Sequence, residues 1–335
     1  MLSTENERMM EGEVNMNPLA LDKDDPRYIA ACVAHVPQLS DPNEVEITKV
    51  MEGEILSTPL ARNMVEEVRR VIRENWQDLY AHRKDPSYVH AKNQEGTAEV
   101  ARITNATIVS GQEHLQELEK GKPVFFSANH FGFFKLVGFK PEDLRDLGFD
   151  GKHAVPDIYY PPIPFYAPFY PVARELVDDI YMAAQEEAGT LGELSRATGS
   201  IDVPPPPNMF PGFEGVKEGE SAGRVGILTE STIKFFKEHP NSALVVFPEG
   251  GTTGKRNGGN TRELGRFHAG LFAIAATLEL PVVLLAHRFN PNKGFEISVA
   301  GVVRLGKNST REEIQGGADR ARGATQAAFD QLHTS

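Results

Sequence analysis

With 335 residues, 40 % hydrophobic and 24 % charged, the chain has room for one large α/β domain with an appendage or for two ordinary domains, and its composition excludes wholesale disorder. A net charge of −12 argues against general attraction to nucleic acid or to an anionic membrane, so an anionic substrate would need a local cluster of cations. Cys32 is the only cysteine, which excludes an intrachain disulfide and a cysteine-based zinc site.

Residues 1 to 57 are polar and turn-rich, with an acidic start (MLSTENERMMEGE) that resembles neither a secretory leader nor a transit peptide. The expectation is a cytoplasmic protein, and no window offers the roughly 18 consecutive apolar residues of a spanning helix. Ile29–Val36 is a candidate short helix. Thr58-Pro59 reads as an N-cap followed by proline at the first helical position, and Leu60, Met64, Val68, Val71, Ile72, Trp76 and Leu79 recur at helical spacing as far as His82. Residues 1–95 are therefore expected to be a helical region laid against a main domain spanning 96–335.

From residue 101 strands and helices alternate. Strands are expected at Arg102–Val109, Pro123–Ala128, Ala243–Phe247, Pro281–Ala286 and Phe295–Leu305. Helices are expected at Ser110–Leu118, with a Ser110-to-Glu113 capping box, and at Val172–Glu187, Ala222–Glu238, Arg266–Leu278 and Arg311–Leu332. Residues 158–171 (IYYPPIPFYAPFYP) are too rich in proline for helix or central strand, and 199–216 read as a stiff extended loop. The alternation predicts an α/β fold: a central, mostly parallel or mixed sheet flanked by helices, with a helical N-terminal region.

Two segments carry chemistry. The strand Val124–Ala128 delivers Asn129 and His130 just past its end, where an imidazole is well placed to act as a base. The strand ending at Phe247 continues into Pro248-Glu249-Gly250-Gly251-Thr252-Thr253-Gly254-Lys255-Arg256, one carboxylate followed by a glycine-rich basic loop. Ligands of open α/β sheets gather beyond the carboxyl ends of strands, and glycines let the backbone approach an anion closely. Lys255, Arg256, Arg262 and Arg266 supply the local cations that the acidic chain demands. A nucleotide P-loop is disfavoured, because three residues rather than four separate Gly250 from Gly254 and Arg256 replaces the metal-binding hydroxyl.

Together these segments resemble the glycerolipid acyltransferases, the glycerol-3-phosphate and lysophospholipid acyltransferase family. Asn129-His130 corresponds to the family's Asn-His-x4-Asp motif, Phe247-Pro248-Glu249-Gly250 to its Phe-Pro-Glu-Gly-Thr with Gly251 in place of threonine, and Leu280-Pro281-Val282-Val283 to its late Val-Pro strand. The approach Ile108–Gly111 through Gly121–Val124 is similar too, and the likeness runs from residue 101 to 305. Two positions depart from the pattern. The middle motif is echoed at Gly199–Val203 without its arginine, for which Arg224 is the candidate replacement, and Lys135 stands where the motif has aspartate.

The resemblance implies transfer of an acyl group from acyl-CoA or acyl carrier protein to a hydroxyl of glycerol-3-phosphate or a lysophospholipid, with no metal and no bound cofactor. His130 is implied as general base and Glu249 as the partner of the acceptor's polar head. Asn129, Lys135, Gly250, Gly251 and Thr252 would contact substrate, and Lys255, Arg256 and Arg224 would hold phosphate. The missing aspartate leaves open whether a carbonyl or another carboxylate holds the His130 ring, or whether Lys135 faces a substrate phosphate. A catalytically silent relative that binds lipid or acyl carrier, and an acyltransferase for a non-glycerolipid acceptor, are the alternative readings. The aromatic run 158–171 lines an acyl groove, touches a membrane surface peripherally, or simply packs on its own domain. His153, His268 and His287 read as packing or surface residues.

Overall fold

The computed structural model describes residues 42–82, 84–138, 163–185, 201–203, 220–250, 252–255 and 257–334. The expectations for 29–36, His153, 158–162, Gly251 and Arg256 lie outside these residues, as do the side chains of Trp76, Lys135 and Arg224.

Three helices open the described chain: α1 (Pro42–Ile55), α2 (Pro59–Ala81) and α3 (Pro86–Ile103). Thr58 caps α2, its Oγ1 accepting from the Ala61 N–H at 3.2 Å and donating to the Pro291 carbonyl at 2.6 Å. Asp85 caps α3, accepting from the Tyr88 N–H at 3.1 Å ahead of Pro86. The pair Asp85-Pro86 therefore starts a helix as well as following one, as proline at the first helical position allows. Helix α3 runs through Arg102 to Ile103, and Asn105, at φ 45°, turns the chain into β1 (Thr107–Ser110). The strand expected at Arg102–Val109 thus starts as the last two residues of a helix and a turn, and only Thr107–Val109 of it is strand. The capping box expected at Ser110 does not form. Gly111, at φ 76°, precedes a 3-10 turn at Gln112–Glu117, and the Ser110 hydroxyl meets that of Ser298 at 2.7 Å.

The strands β2 (Val124–Ala128), β3 (Asp179–Gln185), β4 (Ile201–Val203), β5 (Ser242–Val246), β6 (Val282–Asn290) and β7 (Gly294–Val303) complete a seven-stranded sheet of order β1-β7-β6-β2-β5-β3-β4. Neighbouring strands run parallel except at the β6–β7 hairpin. This is the mixed, mostly parallel α/β sheet that the sequence predicts. The helices α4 (Phe134–Val137), α5 (Ile163–Tyr166), α6 (Tyr170–Leu176), α7 (Glu220–Glu238), α8 (Gly270–Leu278) and α9 (Arg311–Thr334) cover it.

Two further expectations fail for physical reasons. Residues 163–171 do form short helical turns, because Pro164, Pro168 and Pro171 each sit in a first turn, where the absent N–H has no helical partner. Val172–Glu187 is not one helix: α6 ends at Leu176 and β3 follows, with Ile180 and Met182 buried in one core and Tyr181 in the other, so its centre lacks the alternation that marks a half-exposed strand.

The central strands are sealed on both sides. Val124, Phe126 and Ala128 of β2, with Val245, Val283 and Leu285, face a core shared with Ile47, Met51, Val65 and Val68 of the first helices. Phe125, Leu244, Leu284 and Ala286 face a second core against Phe235, Phe272, Ala321 and Phe329 of α7, α8 and α9. The alternation of period two along each strand divides the residues between the two layers.

Candidate functional site

Strand β2 lies between β5 and β6, parallel to both, with Ser127 level with Val246 and Ala128 level with Leu285. Their carboxyl ends therefore open at the same edge. There Asn129-His130, Phe247–Glu249 and His287 come together.

Asn129 is fully buried. Its Nδ2 donates to the His287 carbonyl at 3.0 Å and its Oδ1 accepts from the His287 N–H at 2.8 Å. The side-chain amide thus acts as one more peptide rung beyond the β2–β6 ladder, which frees the main chain to turn at His130. Only asparagine or glutamine offers that donor and acceptor pair, and asparagine has the shorter reach.

Glu249 is buried at 3 % exposure. Its Oε1 accepts from the Thr253 hydroxyl at 2.6 Å and from the His130 N–H at 3.3 Å, and its Oε2 accepts from the Gly265 N–H at 2.7 Å. Thr253 closes the loop by donating its N–H to the His130 carbonyl at 3.0 Å. One carboxylate therefore joins two segments 119 residues apart. Burial raises its pKa above the ordinary carboxylate range, while Thr253, Gly265, His130 and the charge of Arg322 act in the opposite direction. The sequence suggests that Glu249 faces a ligand; the structure instead turns both of its oxygens towards protein donors.

The His130 ring lies among aromatic rings, with centroid distances of 4.4 Å to Phe247, 5.1 Å to Phe134 and 5.9 Å to Phe165. Its Nδ1 is sealed from solvent and has no hydrogen-bond partner among the described residues. Burial lowers its pKa to about 4, and the nearby charge of Lys255 adds to the fall. The ring is neutral at pH 7. Relative to a free histidine, its imidazolium costs about 3 kcal/mol more to form. Among the described residues, Lys255 is the cation that depresses it.

His287, which reads from sequence as packing, belongs to the same cluster. It is buried beside Phe169 at 4.8 Å and Phe131 at 6.0 Å, its Nδ1 is also sealed without a partner, and burial and then His130 lower its pKa to about 3. The available signal was positional. A histidine four residues after Leu280-Pro281-Val282-Val283, the match to the family's last strand, lies at the same sheet edge as His130.

Thr252 is buried and Lys255 half-buried, and Gly250 holds φ at 65° where the strand turns into the loop. Helix α1 lies over both loops. A Cβ on Gly132 would meet the Met51 methyl at 2.2 Å, and Glu54 pairs with Arg262 at 2.9 Å. Arg266 is exposed and reaches Gln315 at 3.4 Å, so Arg262 and Arg266 take different partners. The backbones of Lys135 and Arg224 lie in α4 and α7. No group of metal-ligating side chains occurs among the described residues, and none of their helices is long and apolar enough to cross a membrane.

No family model matches the chain, and no curated protein matches it. Among solved structures it is similar to the 1-acyl-sn-glycerophosphate (LPA) acyltransferase PlsC from Thermotoga maritima, over 88 % of this chain and 96 % of that one, with 12 % identity and a TM-score of 0.36.

Proposed function

We propose that the chain is an acyltransferase that moves an acyl group from acyl-CoA or acyl carrier protein to a hydroxyl of glycerol-3-phosphate or a lysophospholipid, with His130 as general base. The observation that supports it is the meeting of Asn129-His130 with Phe247–Glu249 at one sheet edge, where Glu249 accepts the His130 N–H. Under this reading the acceptor oxygen attacks the thioester carbonyl carbon as its proton passes to the imidazole. The tetrahedral intermediate collapses with loss of the thiolate, which takes the proton back and leaves as free thiol. With Nδ1 sealed, Nε2 is the working nitrogen. Asn129 and Glu249 position the loop that carries His130. Gly250, Gly251 and Thr252 contact the acceptor, and Lys255, Arg256, Arg224 and Lys135 hold phosphate.

A second reading has its own support. The base-competent tautomer carries its proton on Nδ1, where no described residue accepts it, and a buried unpaired donor costs about 1–3 kcal/mol. That favours a catalytically silent relative that binds acyl carrier or lipid. Free-thiol release from a panel of acyl-CoAs, with glycerol-3-phosphate or lysophosphatidate as acceptor, separates the two. Acceptor-dependent release that disappears in His130→Ala is expected. Equal release from both proteins would remove His130 from the chemistry. Binding of acyl-CoA or acyl carrier protein without turnover from either donor would establish the silent relative.

A further inference from the structure

The segment between Asn260 and Gly270 has no helix or strand until α8 begins, yet it supplies one of the three donors to Glu249. Its backbone is held from outside by the C-terminal helix. The Arg322 guanidinium donates from Nη2 to the Leu264 carbonyl at 2.7 Å, and from Nε to the carbonyls of Leu264 and Gly265 at 3.2 and 3.1 Å. One turn further along, Gln326 accepts from the Leu264 N–H at 2.7 Å and donates to the Arg262 carbonyl at 3.0 Å. Leu264 itself is fully buried in the second core.

These contacts run in series. Helix α9 fixes residues 262–265, Gly265 donates to Glu249, and Glu249 accepts from the His130 main chain. Gly265 leaves little slack, because a Cβ there would stand 3.3 Å from Glu249 Oε2. The planar fork of arginine suits two adjacent carbonyls in a way that an ammonium does not.

The geometry points to Arg322 and Gln326 as positioning residues of the acyl-transfer centre, gripping residues 262–265 from α9 so that Gly265 and Glu249 hold the His130 loop in register. The inference rests on the acyl-transfer reading and extends it to a helix outside the family resemblance. Arg322 acts through charge as well, since it opposes the rise in pKa that burial imposes on Glu249.

The experiment compares wild type, Arg322→Ala, Arg322→Lys and Gln326→Leu, with Glu312→Ala near the start of α9 as control. It measures kcat and KM by thiol release, thermal midpoint, and titration of the Glu249 carboxyl by carbon-13 NMR. Displacing a reacting group by about an ångström costs on the order of 100-fold, so Arg322→Ala is expected to lose about 10- to 100-fold in kcat at nearly constant donor KM. Its Glu249 titration is expected to move upward. Arg322→Lys is expected to restore the titration but only part of the rate, and Gln326→Leu to lower kcat without moving the titration. If Arg322→Ala does not fold, Arg322→Lys and Gln326→Leu still decide the matter. Active wild type with unmoved kcat and titration in the variants overturns the positioning role alone, as does a rate loss that only tracks loss of folded protein. Wild type without turnover on any acceptor overturns the acyl-transfer reading and this role with it.

Discussion

At Glu249 a single oxygen atom decides what the side chain can do. Oε1 takes two donors and Oε2 takes a third, so the carboxylate fits only as an acceptor at both ends. Glu249→Gln keeps the shape but turns an NH2 towards the donors on one side. A buried donor facing a donor costs about 1–3 kcal/mol, and a loss of that size in urea denaturation is expected, together with a lower rate of thiol release. Unchanged stability would mean that the carboxylate does not join the two loops. Asn129 follows the same logic, spending its amide on the His287 peptide. Each residue is conspicuous in the sequence for chemistry, and each is engaged in the structure with backbone. Sequence shows that a carboxylate and an amide lie near strand ends. It does not show that Glu249 meets the His130 N–H or that Asn129 meets the His287 peptide, because those partners lie 119 and 158 residues away.

At the scale of elements, legibility follows local signals. Thr58-Pro59 reads correctly because cap and proline sit side by side, and Thr58→Ala removes both the cap and the bond to the Pro291 carbonyl. A loss of about 1–2 kcal/mol is expected from the shift in urea midpoint, with a larger fraction lost than for exposed caps because the β6–β7 turn is released too. Strands β5, β6 and β7 and helices α7 and α9 are legible from their apolar runs and flanking turns, to within a few residues. Helix α8 starts later than expected, at Gly270, because residues 262–268 give their backbone groups to α9, Glu249 and Pro248 instead of to a helical turn. Strand β3 is hidden because burial on both faces removes its period, and no glycine or proline marks its junction with α6.

For the molecule as a whole, the buried histidines set an acid limit. In the fold the pKa of His130 lies at about 4, that of His287 at about 3 and that of His333 at about 4, each lowered chiefly by burial. An unfolded chain takes up these protons near pH 6.5, before the fold does, so stability falls as pH drops below that value. The fall is expected at about 1.4 kcal/mol per pH unit for the buried His287, less for the half-buried His130 and His333, and to end once the folded pKa values are passed. Urea midpoints between pH 7 and 4 measure it, and His287→Phe should make the slope shallower by one histidine. The arrangement behind those values has a temporal side. Strand β2 needs β5 and β6 on its two edges, and the amide of Asn129 waits for a partner 158 residues downstream. Contacts of such long range form slowly, since the intervening chain must first close into loops. During synthesis the strand that bears His130 therefore emerges with both of its edges bare, and the loop around it is gripped only after Arg322 and Gln326 have followed. A nascent chain thus carries the apolar Val124–Ala128 strand with its edges unpaired until β5 and β6 have followed.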